Sequence, residues 1–200
     1  MADPTGGRQE CMQFELMNQV LDMTVTEEEI FMRAGRHTNH FIDGPSGFRV
    51  ANAPFWHTAQ EGDFVLRCRV SVDFQSTYDN GCLFIHDTDE RWIKFAFEKN
   101  EYGYTSAVAV VTDGISDDCN GERVDGESVW LQILRKGDDW ALHYALDGYD
   151  WRMVRYFRLR MPETVRVGIS LQSPTGDSVT GRFSLLTITE NPYTNLRALS

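Results

Sequence analysis

Apolar and polar residues alternate along this chain with a period of two, most cleanly over Asp63–Asp73 (DFVLRCRVSVD). Phe64, Leu66, Cys68, Val70 and Val72 fall on one side of an extended backbone, and Val65, Arg67, Arg69 and Ser71 on the other. Val165–Gln172 repeats the logic, with Val165, Val167, Ile169 and Leu171 opposed to Arg166, Ser170 and Gln172. Further strands are predicted at Glu29–Arg33, Gly81–His86, Arg91–Glu98, Ser106–Thr112, Val129–Arg135, Trp140–Leu146, Arg152–Phe157 and Arg182–Thr189, ten in all. No segment carries a helical period; Thr26–Ile30 could form one helical turn at most. Reversals are predicted where Gly follows Asn, Asp or Lys, at residues 80–81, 113–114, 120–121, 125–126, 136–137 and 147–148. Two of these, Lys136-Gly137 and Asp147-Gly148, predict a three-stranded meander over Val129–Phe157. The fold class is therefore all-β, a sandwich of two antiparallel sheets.

Two hundred residues fit one such domain. The expected layout is a flexible lead-in over 1–12, a single sandwich over 13–190 and a tail over 191–200 that begins beside Pro192. The net charge of −11 opposes a nucleic-acid backbone or an anionic membrane surface as partner. No run approaches the roughly 18 apolar residues of a membrane span. MADPTGGRQE lacks the basic-then-apolar pattern of a secretory leader. Cys11, Cys68, Cys82 and Cys119 form no C-x-x-C pair, and Cys68 and Cys82 read as small buried apolar residues. A cytoplasmic location is the expectation.

Candidate chemistry concentrates on Arg91–Glu98. Ile93, Phe95 and Phe97 read as core, while Trp92, Lys94, Ala96 and Glu98 share the other face. An aromatic, a cation and an acid in one row suit a sugar groove, which needs a flat apolar platform and charged hydrogen-bonding groups. Arg67 and His143 stand on polar faces of other strands and are expected to assist, as could Arg69, Arg166 and Gln172. Thr112–Asn120 (TDGISDDCN) reads as an acidic loop in which Ser116 and Asp117 fix the groove rim. With Asp113 and Asp118 it has the carboxylate density that calcium could use; no other cofactor or metal is indicated. A sandwich glucanase would carry E-x-D-x-x-E on one strand face, and only Glu122-x-x-Asp125-x-Glu127 comes near it. Glu98 has no partner carboxylate on its own strand. The histidines show no metal-binding spacing.

An ordered series of motifs spans roughly Phe14 to Thr189: Phe14-x-x-x-Asn18, Thr38-Asn39-His40-Phe41, Asn52-Ala53-Pro54-Phe55 and Tyr78-Asp79-Asn80-Gly81-Cys82-Leu83. Arg91-Trp92-Ile93-Lys94 with Glu98, Val110-Val111-Thr112, Ser116-Asp117 and Leu146-Asp147-Gly148-x-x-Trp151 complete it. In this series the chain resembles the domain-of-unknown-function 1349 family, which includes YesU-type and regulation-of-enolase-like proteins. The resemblance implies a concanavalin-A-like jelly roll and no settled activity. Two positions depart from the family pattern: Asn39 stands where Asp is usual, and Asp118 where Trp is usual.

Three roles follow. The first is a non-catalytic, lectin-like module for a saccharide or other polar small molecule, read by Trp92, Lys94 and Glu98 with Arg67, His143, Ser116 and Asp117. The second is a protein-interaction or metabolic-regulatory domain. The third is a glycan hydrolase using Glu98.

Overall fold

The computed structural model describes residues 13–200. The lead-in expected over 1–12 lies outside the described residues.

Two seven-stranded antiparallel sheets pack face to face as a jelly-roll sandwich. In spatial order the first is β1 (Glu15–Met17), β6 (Phe55–Glu61), β15 (Thr164–Gln172), β8 (Asn80–Thr88), β9 (Arg91–Lys99), β10 (Thr105–Asp113) and β11 (Ile115–Arg123). The second is β14 (Arg152–Arg158), β13 (Asp139–Ala145), β12 (Ser128–Lys136), β7 (Phe64–Asp73), β16 (Ser178–Glu190), β3 (Glu29–Gly35) and β2 (Asp22–Val25). A short ribbon, β4 (His40–Ile42) with β5 (Arg49–Ala51), stands apart from both.

The alternating residues build the core as their period requires. Leu66, Cys68 and Val70 of β7 meet Ile93, Phe95 and Phe97 of β9 and Val167, Ile169 and Leu171 of β15 in one buried cluster. β12, β13 and β14 are the meander, with positive φ at the Gly137 and Gly148 turns.

Several local expectations are corrected. The sheets and ribbon contain six strands beyond the ten read from pattern: β1, β2, β4, β5, β6 and β11. Thr112–Asn120 is not a loop. Gly114, at φ +77°, reverses the chain so tightly that Asp113 pairs with Ile115 and the acidic run becomes an edge strand. Asn80-Gly81 begins β8 rather than turning, and its glycine is there for space, because a Cβ would lie 2.9 Å from Val70 and Val72. Asn120-Gly121 falls inside β11, beside an irregularity in its pairing with β10. Thr26–Ile30 makes no helix; Thr26 N–H donates to the Glu29 carbonyl and closes the β2–β3 turn. Residues 191–200 lie on the second sheet, where Leu196 is buried against Val65, Leu134 and Ala141.

Candidate functional site

Strand register turns the outer face of the first sheet into a map. One cross-strand row runs Gly168, Phe84, Lys94, Val110, Asp118; the next holds Ser170, Cys82, Ala96, Val108, Asn120. Arg166, His86, Trp92, Thr112 and Ser116 form the row on one side. Gln172, Asn80, Glu98 and Ser106 form the row on the other. Asp118 thus sits two strands from Lys94, about 10 Å across the sheet.

This face is roofed. The β4–β5 ribbon lies over it, and Ile42 packs into a second buried cluster with Phe55, Cys82, Phe84, Trp92 and Ala96. His40 packs at a tilt against Phe84 and meets Trp92 edge-on, with ring centroids 4.6 and 5.6 Å away. The expected open aromatic platform is therefore absent, since Trp92 is 0% exposed. Apolar surface on both sides of the sheet leaves water together, so the ribbon completes a second core instead of leaving a wet groove.

The roof meets β11 at Ser116 and stops short of its Asp118 end and of the neighbouring part of β10. There a cavity of about 290 Å³ remains between the sheet residues Lys94, Glu98, Asp118 and Asn120 and the ribbon residues Asn39 and Phe41. Tyr78 and Glu101 close it from the flanking loops. The ribbon is held by polar side chains. Thr38 Oγ1 donates to the Gly35 carbonyl and accepts from Ser173 N–H, at 2.8 and 2.9 Å. Asn52 Oδ1 accepts from Asn39 N–H at 2.9 Å, and Asn18 Nδ2 donates to the Ala53 carbonyl at 2.9 Å. Ser116 Oγ accepts from Ile42 N–H at 2.9 Å. The Tyr78 loop is pinned by buried Asp79, whose carboxylate accepts from Gln75 N–H, Ser76 N–H and Ser173 Oγ. Tyr78 itself holds φ +69°, a conformation unfavourable for a bulky residue, and so turns toward the cavity rim.

Lys94 and Glu98 stand in contrasting surroundings. The Lys94 ammonium reaches Asn39 Oδ1, the His40 carbonyl and Gln172 Oε1 at 3.4–3.5 Å, all neutral oxygens. Glu98 is buried, and no hydrogen bond to its carboxyl occurs among the described residues. Burial pushes the Glu98 carboxyl up to about 7, against the opposing pull of Lys94. Asp118 is also raised, by burial first, with Lys94 again opposing. Glu98, lacking a partner on its own strand, therefore shares its cavity with Asp118 and Glu101.

The other predicted site residues are dispersed. Ser116 anchors the ribbon rather than lining the cavity, and Asp117 pairs with Arg155 of the opposite sheet at 3.1 Å. Asp113 pairs with Arg91 at 3.0 Å while Asp118 turns to the cavity, so the carboxylates of the acidic run diverge instead of enclosing an ion. No group of three or more His, Cys, Asp or Glu side chains suited to a metal occurs among the described residues. Arg67 and His143 stand on the second sheet. Arg67 donates to Gln132 Oε1 at 2.8 Å and stacks on Trp151, 4.8 Å from the ring centroid. Burial holds His143 down at about 4. Neither joins the Lys94 cavity.

Asn120, Tyr78 and Glu101 carry no expected contact in the sequence, and Asp118 enters there only as a candidate calcium carboxylate. Asp113-Gly114 was the available signal: a hairpin there folds 115–123 back along 105–113 and sets Asp118 opposite Val110, itself opposite Lys94. The two departures from the family pattern, Asn39 and Asp118, both line this cavity.

Solved structures share the fold at low identity. A functionally unknown protein from Saccharomyces cerevisiae is 19% identical with a TM-score of 0.84, covering 89% of this chain and 96% of its own. A xylan β-1,4-xylosidase from Bacillus halodurans C-125 is 12% identical with a TM-score of 0.63; the match covers 84% of this chain but only 38% of the xylosidase. An alginate lyase from Klebsiella pneumoniae is 12% identical with a TM-score of 0.59, covering 85% and 84%. No curated protein matches by sequence. No described helix is long and apolar enough to cross a membrane. The profile described as Protein of unknown function (DUF1349) matches residues 17–191, and with that span and the jelly-roll sandwich beneath it the chain belongs to this family.

Proposed function

We propose that the protein is a non-catalytic binding module that holds a small saccharide in the cavity between β9, β11 and the β4–β5 ribbon. One observation carries the reading: a buried carboxyl, Glu98, faces the cavity without a hydrogen-bond partner among the described residues. Its oxygens open onto the cavity and are free to accept from a ligand hydroxyl. The surroundings suit a polyol. Lys94 donates, Asp118 accepts, Asn39 and Asn120 do both, and Phe41 and Tyr78 supply apolar ring surface. At about 290 Å³ the cavity is at the small end of the ligand-site range, the size of one or two sugar rings. The xylosidase shares the fold, and the reading takes from it only the substrate class to test first.

A glycan array followed by calorimetry on the best hit tests it. Lys94→Ala and Glu98→Ala should each weaken binding by about tenfold or more while near-ultraviolet circular dichroism stays native. Unchanged affinity in both folded variants removes the cavity from the account. Cleavage of an arrayed glycan, lost in Glu98→Gln, would transfer the reading to hydrolysis by Glu98 with Asp118.

A further inference from the structure

Among the charged groups that line the cavity, one is a cation and three are acids. Lys94 is the cation, and it directs its hydrogens to Asn39, His40 and Gln172 rather than to a carboxylate. Glu98, Glu101 and Asp118 are the acids. No ion pair joins Lys94 to any of them among the described residues, and neither Glu98 nor Asp118 accepts a hydrogen bond there. Nearby cations are engaged elsewhere: Arg155 holds Asp117, and Arg91 holds Asp87 and Asp113.

That imbalance has a consequence for what can enter. A carboxylate or phosphate on the ligand would face three acids with only an already engaged ammonium to meet it. A ligand ammonium would find at least two carboxyls with free acceptor sites, Glu98 and Asp118, and could make charge-assisted hydrogen bonds to them. Hydroxyls on the same ring still have the amides of Asn39 and Asn120.

We infer that the cavity selects a sugar bearing a free amino group and rejects sugar acids and sugar phosphates. The inference rests on the saccharide reading above and narrows it to a ligand charge class. Asp118 is central to it. It faces Lys94 across β10 and gives the wall formed by β11 an acid where the flanking residues of that row are apolar.

Calorimetry on the full chain at neutral pH tests the selection with glucosamine, galactosamine and mannosamine. Each is titrated beside its parent hexose and its N-acetyl form, with glucuronate and glucose 6-phosphate as anionic probes. At least one amino sugar should bind roughly ten- to hundredfold tighter than its parent, and acetylation of that amine should erase the gain. Asp118→Asn and Glu98→Gln, both close in shape to the native residues, should each move the ratio of amino to parent affinity toward one. Equal affinity for amino sugars and parents, or tight binding of either anionic probe, overturns the inference and leaves a saccharide site in place. No heat from any of these sugars, together with a blank glycan array, overturns the reading on which it rests.

Discussion

Each sheet of the sandwich turns its outer face toward another part of the chain, and the two faces are finished differently. On the first sheet the β4–β5 ribbon lays Ile42 and His40 on Phe84 and Trp92 and leaves the Lys94 end unfilled. On the second sheet, Leu196 of the C-terminal segment covers Val65, Leu134 and Ala141, and Trp151 lies beneath the Arg67 guanidinium. Both faces bury polar side chains. On the second, Arg67 turns inward to Gln132 and its charge is spent on protein neighbours, while Gln132 Nε2 and both ring nitrogens of His143 are buried without a partner among the described residues. On the first, Glu98 and Asp118 also lack a partner, and these two line a cavity. Buried polarity by itself does not mark a site; buried polarity without a protein partner, beside open space, does.

The largest expected effect tests whether the roof of the first face is a core. Trp92→Ala should destabilise the protein by about 3–5 kcal/mol, the range for emptying a buried aromatic site, as measured by urea unfolding. A tryptophan waiting for a sugar would cost far less to remove. A loss below about 1 kcal/mol would mean that the ribbon does not seal Trp92, and the comparison between the faces would fail at its first step.

Trp92 also shows where the sequence stopped being legible. Strand alternation separated the core face of Arg91–Glu98 from the face that carries Lys94 and Glu98, because period two is a local property of extended backbone. Alternation is silent about what covers that second face. The cover is a pair of three-residue strands held by Thr38, Asn52 and Asn18, too short to display a period. β11 was hidden for a different reason. Its residues ISDDCNGER contain little apolar surface, since it is an edge strand paired on one side, and its strand character comes from the Gly114 hairpin. Alternation groups Arg67 and His143 with Lys94 as polar strand residues. Which of two sheets a strand joins is a long-range outcome, and alternation carries no information about it.

A smaller effect separates the faces by pH. Both keep a histidine neutral by burial, His40 at about 3 and His143 at about 4, so both lose stability as pH falls from 6.5 toward those values. Only the first face also holds an acid with its carboxyl raised to about 7. Between 4.5 and 7 the folded chain keeps a proton on Glu98 that the unfolded chain has released. That contribution is complete below 4.5 and is lost as pH rises through 7. Glu98→Gln removes the loss. Its stability relative to the native chain should therefore rise by on the order of 2–3 kcal/mol between pH 4 and pH 8. A flat difference across that window in urea unfolding would place the Glu98 carboxyl in ordinary solvent contact and remove the reason for a ligand to seek it.

The smallest effect is the most selective, because it asks whether the faces are independent. Arg67 stacks on Trp151 and bonds Gln132 on the second sheet, with the hydrophobic core between it and the cavity. Arg67→Ala removes a partly exposed cation–π contact, worth about 0.5–1 kcal/mol, and side-chain bonds of similar size. The urea midpoint should shift slightly, and affinity for the glycan selected on the array should stay within about twofold of the native value. Sites this far apart with no shared contact normally add rather than couple. A tenfold loss of affinity in folded Arg67→Ala protein would join the two faces after all, and ligand recognition would then have to be sought on the second sheet, under Trp151.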